Sequence, residues 1–498
     1  MRLPRYLVPG LLVALAAVVM GFRLTNKDLW NDEAFSYFVA RHGPAAAARF
    51  IVQDTQPPVY YLILSVWLQL GRSAVVLRSL SVAALALAVL PLYGAARRLF
   101  DAQVAGVAGA FFVLTPLVVG WAQKARPYAV QTLFLAIAYW GFVEVYRSAA
   151  AREAWIGASL RRGVGRVDLG WGALALGGGM AMLTQQPAGF FLLGLNVTAL
   201  LVVLRRGPGW GRFLANWTVS QMLLIGVWLL WLPWFLRQIG TNLTPAQIAV
   251  RHPNFLIGGD QVLGYLRGLF GVGSLWRAEP LFLAVQLAAA LAGCVMLRRG
   301  GRATPVLAPL LVPPAVGLVG FWLIHPVFGY VIGEFVFLWL PYSILLGYAV
   351  ARLPWRFVGV AVAAVILLGD AWGLRNYYET PNQPTAQVAA VIAAGMRPGD
   401  GVILAENTAM RWALAYYLGP ARRHLLVGLD VSAEWDYDRL LRTRAAALRQ
   451  TRNWVVLPGN GQPVAVDPGV LQADMRQVSA VRRGSASVRL FVERPGGQ

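Results

Sequence analysis

Cysteine is almost missing from this 498-residue chain. Cys294 stands alone inside an apolar run, which excludes both a disulfide framework and a thiolate metal site. Histidine is scarce too: His42, His252, His325 and His424 form no ligand motif, so no metal and no other cofactor is assigned, although an ion held with a carboxylate remains chemically open. Charged residues make up only 13% of the chain, against about 25% in soluble globular domains. Lysine is rarer still, since Lys27 and Lys124 are the only two among 44 basic residues. There is no low-complexity linker, and no repeat beyond a succession of apolar runs.

What fills the chain instead is apolar sequence, 58% hydrophobic with a mean hydropathy of +0.56. Such a composition belongs in a bilayer. Candidate spans fall at 6–24, 76–96, 103–122, 128–147, 169–184, 188–204, 216–236, 280–297, 304–324, 333–351 and 357–373, eleven in all. The first has the charge and apolar core of a signal peptide but no small-x-small cleavage site before the polar segment 24–33, and reads as a retained span. The formal net charge of +22 sits in short arginine-bearing loops. Placed there, it acts as a topology signal rather than a nucleic-acid footprint.

Segment 57–70 is apolar but short, and charge parity decides its fate. If it does not cross, Arg2/Arg5, Arg97/Arg98, Arg147 through Arg166, Arg205/Arg206/Arg212, Arg298/Arg299/Arg302 and Arg352/Arg356 all fall on one side, the cytoplasmic one. It therefore reads as a juxtamembrane helix. Segment 25–75, the turn Gln123-Lys124-Ala125-Arg126, the loop 237–279 and everything past about 374 then lie outside the cytoplasm. The expected domains are a transmembrane unit, 1–375, and an extracytoplasmic α/β unit, 376–498, with strands at 401–406, 424–430, 453–458 and 487–493 and helices near 384–396 and 438–450.

The chemistry-bearing residues collect in the outer segments. Trp30-Asn31-Asp32-Glu33-Ala34 places two carboxylates just after the first span. One reading is a helix N-terminus beginning at Glu33 and capped by Asn31 or Asp32. The other is a general base for transfer to a hydroxyl, which needs a positioned proton acceptor; the two roles are compatible. Asp54 adds a third carboxylate before Gln56-Pro57-Pro58, where a helix starts at one of the prolines. Lys124 and Arg126, at the outer end of a span, suit a phosphate ligand, Arg126 by its bidentate fork. Loop 237–279, with Arg237, Arg251 and Arg267, reads either as a cover for a lipid phosphate or as a plain surface loop.

In order along the chain, Asp32-Glu33-Ala34-Phe35, Gln56 to Tyr61, Leu77 to Ser81, Arg97 to Phe100, Gln123 to Tyr128, Trp231 to Trp234, His325 to Phe328, Asn376-Tyr377-Tyr378 and Arg397 to Asp400 resemble landmarks of bacterial protein O-mannosyltransferase-like and aminoarabinose-transferase-like enzymes, glycosyltransferases of families 39 and 83 with the GT-C fold. The resemblance implies an α-helical polytopic membrane protein with juxtamembrane helices in the first outer loop and a small C-terminal α/β domain. It also implies a polyprenyl-phosphate-linked sugar donor, a lipid, polysaccharide or protein acceptor, and inversion at the anomeric carbon in the inner membrane. On it, Asp32 is the catalytic base, and Glu33, Asp54, Gln56, Tyr60, Lys124, Arg126, Tyr128 and Glu334 bind substrate. Gln56 stands where relatives often carry His or Lys, Lys124 where an acid is common, and Glu334-Phe335 where Arg-Tyr is common. These departures imply a donor or acceptor unlike that of the best-known members.

A transporter or flippase is the main alternative, and a membrane scaffold a second. Transporters carry charges at the bilayer midplane, whereas here the charges are read at helix ends, with Gln185-Gln186-Pro187 as a hairpin turn between two spans.

Overall fold

The computed structural model describes residues 6–52, 56–150, 166–204, 210–242, 279–299, 303–328, 332–380, 382, 384–397, 400–404, 410–420, 452–458, 475–483 and 486–493. The chain forms two compact units, Met1–Leu24 with Ala40–Glu379, and Thr25–Val39 with Thr380–Gln498.

The first unit is helical. Helix α1 (Leu7–Gly21) buries Pro9, Leu12, Ala16 and Met20 and turns Leu11, Leu15 and Val18 outward. An outward apolar stripe suits a helix whose far side meets lipid. Helix α2 (Asn31–Ala40) falls almost entirely in the second unit. Next come α3 (Pro44–Ile51) and α4 (Val59–Trp67). The nine residues of α4 rise roughly 14 Å at 1.5 Å each, and even with the 3-10 turn Leu68–Leu70 they stay well short of a hydrocarbon core of about 30 Å. The juxtamembrane reading of 57–70 fits this length, though the helix starts at Val59, with Pro58 as its N-cap.

Helix α5 (Ala74–Leu99) opens on Ser73, whose hydroxyl accepts the N–H of Val76, and α6 (Ala102–Leu114) opens on Asp101, which accepts from Val104. Both are side-chain N-caps. The expected span 103–122 is broken: α6 and α7 (Pro116–Ala122) meet at 60°. Pro116 has no N–H to continue the ladder, and Thr115 Oγ1 donates to the Phe111 carbonyl at 2.6 Å. Beyond it lie α8 (Pro127–Ala150), α9 (Arg166–Met182), α10 (Ala188–Leu204), α11 (Trp210–Leu229) and α12 (Leu232–Asn242). The expected span 216–236 is thus also split, just before Pro233, which likewise cannot donate. The unit ends with α13 (Glu279–Arg299), α14 (Ala303–Phe328), a 3-10 segment Ile332–Leu338, α15 (Trp339–Arg352) and α16 (Arg356–Glu379). Among the described residues, five helices are long and apolar enough to cross a bilayer, or six if α6 and α7 form one span. Helices α1, α9 and α10, at 15 to 17 residues, are apolar but shorter.

Helices α8 and α9 pack at glycine. A Cβ on Gly141 would lie 2.4 Å from the Gly170 carbonyl oxygen and 2.8 Å from the Leu174 nitrogen, both backbone atoms that cannot move aside alone. Small residues let spanning helices approach in this way. Gly141→Leu is expected to cost about 1–3 kcal/mol or more by overpacking, seen as a lowered thermal unfolding midpoint in detergent; an unchanged midpoint would show that α8 and α9 are not in contact there.

The expectation that charges keep to helix ends fails at Asp370. It lies inside α16, only 3% exposed, within electrostatic reach of Tyr342 on α15. Arg98–Glu144 (3.1 Å) and Arg352–Asp101 are ion pairs near helix ends, as expected.

In the second unit, β1 (Gly401–Leu404), β2 (Asn453–Pro458), β3 (Met475–Arg483) and β4 (Ala486–Glu493) form a mixed sheet of order β1-β2-β4-β3, with β1 and β2 parallel and the rest antiparallel. Alternate residues Trp454 and Val456 of β2 and Val488 and Leu490 of β4 face one side, the period of a half-buried strand. There they pack with Val388 and Ile392 of α17 (Thr385–Gly395) and Leu414 and Leu418 of α18 (Arg411–Leu418). Asp400, fully buried, accepts from Trp454 Nε1 and from the Arg397 N–H, and pairs with Arg452, so the Arg397–Asp400 landmark anchors this sheet. Strand β3 lacks the alternation that marks a strand and was not expected. The expected elements 424–430 and 438–450, residues 243–278 of the expected loop 237–279, Asp54, His252 and His424 lie outside the described residues.

Candidate functional site

Within the first unit, several sequence-selected residues meet at the α7–α8 junction. Helix α7 ends in the turn Gln123–Arg126, and α8 starts at Pro127, whose ring needs no N–H partner in a first turn. Gln123 Nε2 donates to the carbonyls of Met20 (2.9 Å) and Phe22 (2.7 Å), Tyr378 Oη to Val19 (2.6 Å), and Arg78 Nη1 to Leu24 (2.7 Å). The Val19 and Met20 carbonyls in the last turn of α1, where i+4 partners run out, are thereby held by Tyr378 and Gln123, and Arg78 holds Leu24 three residues beyond the helix end. Arg78, Gln123 and Tyr378 thus hold residues Val19 to Leu24 within the first unit.

Trp121 is the centre of this junction. The Lys124 ammonium lies 3.8 Å from its ring centroid, a cation–π contact, and Tyr128 meets it edge-on at 4.9 Å. The Gly333 backbone presses on the indole so closely that a Cβ would sit 2.4 Å from it. Arg126, 7% exposed, packs its guanidinium 5.7 Å from the Tyr128 centroid. Beside Gly333, Glu334 is 6% exposed and accepts from Gln185 Nε2 at 2.9 Å. With its amide oriented to satisfy both atoms, Gln131 donates to the Glu334 carbonyl (3.1 Å) and accepts from the Ala188 N–H (3.0 Å). The Val59 N–H donates to Leu183 (3.0 Å), pinning α4, with its fully buried Tyr60, to the α9–α10 turn that carries Gln185. Lys124, Tyr128 and the Gly333-Glu334 backbone therefore meet around one indole, Arg126 joins through Tyr128, and Tyr60 through the Leu183–Gln185 turn. Gln56, half-buried ahead of Pro57-Pro58, keeps Oε1 buried without a hydrogen-bond partner among the described residues. Two cations against one buried carboxylate leave a formal excess of positive charge, suited to an anionic headgroup, while the amides suit neutral hydroxyls.

The acidic pair belongs to the second unit. Helix α2 begins at Asn31, two residues earlier than expected, and Glu33 rather than Asn31 or Asp32 closes its start: Glu33 Oε2 accepts the Trp30 N–H at 2.9 Å, with Glu33 1% exposed. That is the backward half of a capping box. Asp32 stays half-exposed on the first turn, where its carbonyl accepts from Ser36 Oγ. The two adjacent carboxylates therefore differ: Glu33 is buried and closes the helix start, whereas Asp32 is only half-buried.

Asp28, Asn31, Gln123, Gln131 and Gln185 were not singled out by sequence as anchors. Gln123, Gln131 and Gln185 had a signal, a primary amide inside or at the edge of an apolar run, which is tolerated when its hydrogen bonds are met. Among the described residues no group of three or more His, Cys, Asp or Glu is placed to hold a metal ion.

No family model matches the sequence, and no curated protein matches it. Solved structures do. ArnT from Cupriavidus metallidurans bound to undecaprenyl phosphate is similar with a TM-score of 0.64 and 16% identity over 98% of both chains. The apo state of the same protein gives 0.62 and 16% over 97% of both. The apo oligosaccharyltransferase of Archaeoglobus fulgidus gives 0.51 and 12% over 91% of this chain and 70% of that one.

Proposed function

We propose that this chain, a polytopic membrane protein with the GT-C fold, is a glycosyltransferase that moves a sugar from a polyprenyl-phosphate donor to an acceptor hydroxyl. The observation that carries the reading is the cationic and aromatic cluster of buried Arg126, Trp121 and Tyr128 with half-buried Lys124, a setting for a lipid phosphate. The end-to-end likeness to ArnT, whose structure holds undecaprenyl phosphate, supports it.

In this reading Asp32 takes the acceptor proton as the acceptor oxygen attacks the anomeric carbon from the face opposite the phosphate. The carbon–oxygen bond to phosphate breaks, its electron pair leaves with polyprenyl phosphate, and the configuration inverts. Arg126 and Lys124 stabilise the charge that develops on the leaving group. Tyr60, Tyr128, Gln56 and Glu334 line the donor side, Asp54 the donor or acceptor side, and Glu33 holds the helix that carries Asp32. No cofactor is required, because a phosphate neutralised by cations is a competent leaving group. By the positive-inside rule the reaction takes place on the extracytoplasmic face of the inner membrane, with residues 376–498 on that face too. The acceptor is a lipid, polysaccharide or protein hydroxyl.

The test is a purified full-length preparation in nanodiscs, given a panel of undecaprenyl-phosphate-linked hexoses and pentoses with lipid, polysaccharide and protein acceptors. Release of undecaprenyl phosphate and a product of inverted anomeric configuration are expected. Absence of release from every donor, with a known transferase active in the same assay, sinks the reading.

A further inference from the structure

The acidic helix is built into the C-terminal unit by more than one kind of contact. The Asn31 side chain, next to Asp32, accepts the Trp412 N–H at 2.8 Å, an orphan donor in the first turn of α18, so Asn31 caps a helix 381 residues away in sequence. Phe35 and Phe38 pack on the Trp412 ring at 5.6 and 5.3 Å, and Tyr37 meets Tyr416 edge-on at 5.1 Å. Ala34 is fully buried with Trp412 and Ala413. Just before α2, the Leu29 N–H donates to Tyr417 Oη at 2.8 Å. Asp28 Oδ2 accepts the Ala386 N–H at 2.7 Å in the first turn of α17, and the Asn382 amide pairs with both the N–H and the carbonyl of Asp28. Asp32 is flanked by these contacts on both sides in sequence, yet stays half-exposed itself.

We infer that α18 of the C-terminal unit is the positioning element of the catalytic helix, with Asn31, Trp412 and Tyr417 as positioning residues that fix where the Asp32 carboxylate stands. The inference rests on Asp32 being the base. It assigns the C-terminal unit a part in turnover itself, beyond any accessory binding. Such a role is sensitive to small displacements, since a misplacement of about 1 Å can cost on the order of 100-fold in rate.

The experiment uses full-length protein in nanodiscs and the panel donor that wild type consumes most rapidly. Tyr417→Phe removes only the hydroxyl that accepts from Leu29, and Asn31→Ala only the cap on α18; Asn31→Asp restores an acceptor. Tyr417→Phe and Asn31→Ala are each expected to lower kcat about 10-fold with the donor KM within about twofold, and Asn31→Asp to recover most of the loss. Placed in an Asp32→Asn background, the same changes should lower the residual rate no further, because they act through that carboxylate. Wild-type kcat in both variants, or an equal fractional loss with and without Asp32, overturns the inference while leaving the base assignment intact. Full activity of Asp32→Asn alone overturns the base assignment instead.

Discussion

Asp32→Asn is expected to lower kcat by about 10²–10⁴-fold while leaving the thermal unfolding midpoint where it is. The substitution keeps size and hydrogen-bonding reach and removes only the ability to take a proton. The start of α2 is closed by Glu33, whose Oε2 accepts the Trp30 N–H, and the Asp32 carbonyl accepts from Ser36 Oγ, a bond that the substitution leaves in place. Glu33 gives the opposite pattern. Its buried carboxylate accepts the Trp30 N–H, so Glu33→Ala removes a helix cap at a cost of about 0.5–2 kcal/mol, and Glu33→Gln, which can still accept, loses less. The measurement is a pair of curves for each variant, turnover of the panel donor and unfolding in detergent. If Glu33→Gln loses turnover as heavily as Asp32→Asn with an unchanged midpoint, the roles of the two carboxylates are exchanged. If Asp32→Asn turns over like wild type, neither the base nor the acidic loop as reaction centre survives.

The contrast between Asp32 and Glu33 marks how far the sequence could be read. Local pattern sufficed where the physics is local. Apolar run lengths marked most helices, and the shortness of 57–70 marked α4 as a helix well below spanning length. Period-2 alternation found β2 and β4. It failed where one residue outweighs an averaged window: Pro116 and Pro233 interrupt runs whose hydropathy is uninterrupted. The mid-helix Asp370 hides in the same way, as one carboxylate among aliphatic neighbours. A third kind of information is absent from any local window. Asn31 meets Trp412 and Leu29 meets Tyr417 across almost the whole chain, so the incorporation of 25–39 into the C-terminal unit could be found only by folding. Arg78, Gln123, Tyr378 and Asp400 were noticed as landmarks, and each has a structural use: Gln123 and Tyr378 tie off the end of α1, Arg78 holds Leu24 just beyond it, and Asp400 holds the sheet.

Arg126→Gln is expected to raise the donor KM by roughly 30-fold or more and to weaken inhibition by added undecaprenyl phosphate to the same degree, in line with about 2–5 kcal/mol for truncating one partner of a buried, hydrogen-bonded charge pair. The argument begins with burial. An arginine 7% exposed beside Tyr128 is not simply snorkelling to headgroup water, as an exposed helix-end arginine would. Its planar fork matches phosphate geometry, whereas Lys124, lying on the Trp121 face, acts as a point charge. Arg126→Lys should therefore recover charge without the bidentate geometry and regain only part of the affinity. Loss in kcat as well as KM would mean that the guanidinium also meets charge developing on the leaving phosphate, since an interaction formed only in the transition state shows in kcat and a uniform one in KM. Raising the ionic strength should affect wild type little, because buried pairs are screened far less than exposed ones. If Arg126→Gln leaves both the donor KM and the undecaprenyl phosphate inhibition constant unchanged, the cluster around Trp121 is a packing device, and the phosphate must be held elsewhere.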